Sequence, residues 1–106
     1  MNAFELFCAF HLGITENNNY RKQSLAEVAR RFDVSAQEVK DALKKYRLDS
    51  ESVQKSGFDM SLAELDMKVA PQGMDKKELA RVLFDDFLVA MPETQAQTEE
   101  ASSEEG

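Results

Sequence analysis

Residues 24–44 read SLAEVARRFDVSAQEVKDALK, and this stretch decides the fold. Ser24 followed three residues later by Glu27 forms a capping box, in which each side chain satisfies an orphan backbone N–H of a helix's first turn. Leu25, Val28, Ala29 and Phe32 then fall at helical spacing on one face. Ser35 and Glu38 form a second box only 11 residues on, followed by Val39, Ala42, Leu43 and Tyr46. Two amphipathic helices therefore meet across the short turn Asp33-Val34-Ser35.

The same signals recur on both sides. Asn2 with Glu5 can cap a first helix whose faces carry Ala3, Leu6, Phe7, Phe10 and Ile14, with Phe4, Cys8 and Leu12 as a second apolar strip. A helix apolar on so much of its surface belongs in the core. Gly13 and Asn17-Asn18-Asn19 end it in a loop. Ser61 with Glu64 forms a third box, ahead of Leu62, Leu65 and Val69, and Asp75 with Glu78 a fourth, ahead of Leu79, Val82, Leu83, Phe84, Phe87 and Leu88. Pro71 and Gly73 separate these last two helices. No stretch alternates with period two long enough for a sheet, although Ser56-Gly57 leaves a short hairpin open between Asp49 and Met60. Residues 24–28 (SLAEV) match 61–65 (SLAEL), an offset of 37 residues, through duplication or convergent helix-start chemistry. The pattern predicts an all-α domain over residues 1–91 with four to five short helices.

The chain has 106 residues, 42 % of them hydrophobic, which suits one small domain with a modest core. It is too short for multi-domain enzyme folds, and no apolar run nears the ~20 residues of a membrane helix. The segment Met1-Asn2-Ala3-Phe4-Glu5 lacks the basic region of a secretory signal. One cysteine leaves no intramolecular disulfide and no multi-cysteine zinc site, and it fits a reduced, cytoplasmic setting. Residues 92–106 hold five Glu, no basic side chain and nothing to build a core, and are expected to be a disordered acidic tail.

Formal net charge is −7, but its distribution is uneven. Residues 21–47 hold eight basic and four acidic side chains, a net +4; the rest of the chain carries five basic and sixteen acidic, a net −11. A basic block inside an acidic protein suggests two surfaces with different partners. It is also compatible with basic side chains that merely solvate helix faces.

Leu25 to Lys44 resembles the helix-turn-helix of DNA-binding regulators. Val28, Phe32, Val39 and Ala42 stand where that motif turns apolar side chains inward, Ala29 where its helices approach, and Val34 in its turn. The family usually has Gly in the turn; this chain has Asp33, which tolerates φ > 0 better than most residues. The resemblance implies a helix-turn-helix over about residues 24–47, with the second helix in the major groove. Gln37 would then read an adenine edge, and Lys40 and Lys44 would meet guanine or phosphate, with Ser35 at the same end. Arg21, Lys22, Arg30, Arg31, Lys45 and Arg47 would contact phosphates. Asp41, on the same face, would oppose DNA.

Cys8 and His11, three apart, are too few for a metal site and fit packing better. Asp85 and Asp86 are adjacent, so they point to different sides of a helix. With a single His, no Ser/His/Asp constellation can be assembled, and no Gly-rich phosphate loop is present. The sequence therefore reads as a non-enzyme without metal or cofactor. The leading expectation is a small dimeric transcriptional regulator that binds DNA, with the acidic tail folding back over the basic helices. The alternative is an adaptor that binds a protein through the basic pair or through Phe84, Phe87 and Leu88 of the apolar last helix.

Overall fold

The computed structural model describes residues 1–91, and the expected acidic tail lies outside them. The fold is all-α, as the pattern predicts. Asn2 and Glu5 cap α1 (Ala3–Leu6) reciprocally, both bonds being 2.8 Å long. The helix runs on through a π-helical turn, Phe7–His11, in which Leu12 N–H reaches back five residues to Phe7 C=O. That wider turn left no trace in the apolar spacing. Gly13, at φ +66°, then turns the chain, and a single antiparallel bridge pairs Ile14 with Tyr20.

The next two helices start and stop where expected. Ser24 with Glu27 caps α2 (Leu25–Phe32), and Ser35 with Glu38 caps α3 (Ala36–Lys45). Each box contributes about 1 kcal/mol. Asp33 takes the left-handed conformation, φ 57° and ψ 48°, that the Gly of the resembling motif would take. Val28, Ala29, Val39 and Leu43 are buried, while Phe32, Val34 and Ala42 are half-buried against them.

Three expectations need correction. The hairpin left open between Asp49 and Met60 is a helix: Asp49 caps α4 (Ser50–Ser56), which Gly57 ends at φ +79°. The third box does not form either. Asp59, two residues earlier, accepts from Leu62 N–H and caps α5 (Met60–Lys68), so Ser61 lies inside the helix. Asp has the stronger claim because its carboxylate also meets the positive end of the helix dipole. The SLAEV and SLAEL stretches are thus unlike in structure. The fourth box is also incomplete: Asp75 caps α6 (Lys76–Ala90), but by accepting from Lys77 N–H at 3.0 Å, without the return bond to Glu78.

The first helix sits at the centre. Leu6, Phe7, Cys8, Ala9 and Leu12 are buried among Val28, Val39, Leu48, Met67, Ala80 and Phe87. Phe7 packs its ring 5.1 Å from Phe84, 5.8 Å from Phe87 and 6.4 Å from Phe58, tying α4–α6 to the N-terminus. Asn18, in the loop before α2, donates from Nδ2 to Met74 C=O (2.9 Å) and accepts at Oδ1 from Lys76 N–H (2.8 Å), pinning that loop to the start of α6.

Candidate nucleic-acid interface

The α2–α3 surface is built by the turn between them. With only three residues, Asp33 to Ser35, between the helices, burial of Val28, Ala29, Val39 and Leu43 fixes which side chains turn outward. On α3 these are Gln37, Lys40, Asp41 and Lys44, on one exposed face.

The basic residues fall into two groups. Arg30, Lys40 and Lys44 are exposed, with no ion pair among the described residues. The others are engaged. Arg21 pairs with Glu27 at 2.9 Å and Lys22 with Glu64 at 3.0 Å. Arg31 is half-buried, donates to Ile14 C=O at 2.7 Å and lies 5.5 Å from the Phe32 ring centre. Lys45 stands over Tyr46, and Arg47, in the left-handed conformation, donates to Lys44 C=O. Ser35 is occupied as the cap, and Gln37 donates to Asp41 Oδ1 at 3.0 Å. That bond uses one N–H of Gln37 and leaves its second N–H and Oε1 available, while it covers part of the Asp41 charge.

Beside α2 lies a cleft of about 320 Å³ lined by Arg21, Arg30 and Arg31 together with Glu16, Glu27 and Gln23. Gln23 is 6 % exposed, with Nε2 3.4 Å from Ile14 C=O. Sequence reasoning missed Gln23 and Glu16, because the loop is brought to α2 through bonds to backbone carbonyls, Arg21 N–H to Gly13 C=O (2.7 Å) and Arg31 to Ile14 C=O (2.7 Å), which no side-chain pattern encodes.

Phe84 and Phe87 are committed to the aromatic core and offer no surface, whereas Leu88 is exposed. Cys8 is buried, and burial, opposed by Lys77, Arg81 and Arg31, pushes its thiol up to about 11. It is a packing residue in its protonated form. No group of three or more His, Cys, Asp or Glu side chains suited to a metal occurs among the described residues. No helix among them is long and apolar enough to cross a membrane.

His11 donates from Nε2 to Leu48 C=O at 2.7 Å, and burial holds it below its ordinary 6.5. The unfolded chain therefore binds this proton at a higher pH than the folded one. Stability is expected to hold above pH ~6.5 and to fall as pH drops from there toward the lowered value. Urea midpoints measured from pH 8 to 5 should show that decline, and His11→Gln should remove it. A flat profile in the parent chain would refute a neutral, half-buried His11.

Compared with known proteins, the chain matches no family model, no curated protein and no solved structure.

Proposed function

We propose that α2 and α3 form a DNA-binding helix-turn-helix acting in transcription, with α3 entering the major groove. The observation that carries this reading is the set Arg30, Lys40 and Lys44, without an ion pair among the described residues and exposed on a tightly turned helix pair of an otherwise acidic protein. Lys40 and Lys44 stand four apart on the outward face of α3, at the spacing of successive turns, and Arg30 extends the charge onto α2. Phosphate contacts supply most of the affinity, and Arg30, Lys40 and Lys44 are the cations placed to make them, since Arg21 is held by Glu27 and Arg31 by Ile14 C=O.

The test is anisotropy of mixed-sequence duplex DNA at several salt concentrations. Arg30→Glu with Lys40→Glu should abolish binding at moderate salt and lower the salt slope by about 2, one unit per lost phosphate contact. Arg31 is unsuitable for this test, because its reversal also breaks the bond to Ile14. Removing residues 92–106, with their five Glu, should raise affinity if that segment competes with DNA for the basic helices. Absence of binding at low salt, with the tail removed, rejects the DNA reading.

A further inference from the structure

We propose that the groove between α5 and α6 docks a basic amphipathic helix of a partner protein. Leu62, Leu65 and Val69 stand at i, i+3 and i+7 along α5 and are 53 %, 50 % and 66 % exposed. Val82 and Val89, one heptad apart on α6, are 58 % and 75 % exposed. Between the helices runs a cleft of about 190 Å³, with Phe58, Leu62, Ala63 and Leu83 as its apolar surface. Leu62 joins the cleft to the exposed stripe of α5, and helical spacing sets Val82 and Val89 on the face of α6 that carries Asp86 of the same cleft; exposed apolar side chains gathered in this way, edged by polar groups, mark an interaction site.

The rim has one sign. Asp59, Asp66 and Asp86 line the same cleft, and none has a cationic partner among the described residues. The cations of α5 and α6 are directed elsewhere: Lys68 toward Tyr20, Arg81 onto Phe4 at 3.7 Å, Lys77 toward the Asn18 and Phe32 side, while Lys76 is buried. An apolar floor between carboxylates without a cationic partner among the described residues, Asp59 being held as the cap of α5, selects a helix with apolar residues at i, i+3 or i+4, and i+7 and with Lys or Arg beside them.

This chain cannot supply that helix itself. The basic stretch 21–47 exposes no large apolar side chain. A second copy placed groove to groove would set aspartates against aspartates. Residues 92–106 carry five Glu, no cation and no large apolar residue. The site is independent of the DNA-binding reading and stands or falls separately from it.

The experiment uses the full chain and a fluorescein-labelled Leu/Lys peptide of about 18 residues, with Leu on one helical face. Its controls are a scrambled Leu/Lys peptide and a Leu/Glu peptide with the same apolar face. The amphipathic basic peptide should bind at least about tenfold tighter than either control. Leu62→Ser with Leu65→Ser should remove that binding while leaving the thermal melt in place, both side chains being exposed. Asp66→Lys with Asp86→Lys should transfer the preference to the Leu/Glu peptide, a result that loss of folding cannot produce. Equal binding of ordered and scrambled peptides, or an unswitched charge preference, would overturn the proposal. So would a dimer in sedimentation that Leu65→Ser dissociates, since the occupant would then be a second copy.

Discussion

Replacing Phe7 with Ala is expected to cost about 3–5 kcal/mol, the range for an aromatic ring lost from a packed core. Phe7 is fully buried, and its ring is the one that Phe58, Phe84 and Phe87 all approach. The void would open where the N-terminal helix meets α6 and the segment between α4 and α5 that carries Phe58. For a domain of this size such a loss approaches the whole of a typical ~5–15 kcal/mol stability. The melting temperature should fall by at least about 12 °C, at roughly 4 °C or more per kcal/mol. Leu65→Ala, at an exposed position, should shift stability by no more than about 0.5 kcal/mol and serves as the reference. Urea titrations giving similar losses for the two would show that the aromatic cluster does not hold the fold.

The second large effect belongs to Gly13. Its φ of +66° costs a side-chain-bearing residue about 1–2 kcal/mol. A Cβ there would also stand 3.0 Å from Arg21 O and 3.1 Å from Arg21 C, which are backbone atoms held by the Arg21 N–H bond to Gly13 C=O. Neither side can give way without opening the 14–20 loop. Gly13→Ala should therefore destabilise by more than about 2 kcal/mol, and it should displace Arg21 from the cleft beside α2. Gly57 and Gly73 also have positive φ, but nothing lies within 4 Å of a Cβ there. Their Ala variants isolate the conformational cost alone. Equal melting of Gly13→Ala and Gly57→Ala would rule out the close approach as a constraint.

The parts of the fold that could be read in advance are those with local chemistry. Ser24, Glu27, Ser35 and Glu38 announce two helices because each cap is completed within four residues. Asp33 marks the turn because few side chains tolerate its conformation. The Asp49 cap, by contrast, leads into Ser-Glu-Ser-Val-Gln-Lys-Ser, whose single buried apolar residue, Val53, gives no periodicity to detect. At Ser61, two caps competed two residues apart, and the complete Ser61–Glu64 pattern masks Asp59, whose carboxylate favours it at the helix start. In the candidate site the cations were legible, but their availability was not. Arg31 turns inward to a carbonyl 17 residues back in the chain, and Lys22 reaches Glu64, 42 residues on. The last helix shows the same limit. Its apolar residues occupy more than one face, and only the packing of Phe7 decides that Phe84 and Phe87 belong inside while Val82 and Val89 stay out.

The π turn at Phe7–His11 bears on the chain's history. A five-residue turn is what a one-residue insertion into an α-helix leaves behind. Excising one residue would restore a regular helix, but it would rotate everything before it by about 100°. Phe4 would then swing away from Phe84 and from the Arg81 guanidinium, and the Asn2 cap would face a new direction. Removing the extra residue would therefore demand compensating changes in a helix some 70 positions downstream, so the turn is tied to the packing of α6 and not only to its own segment.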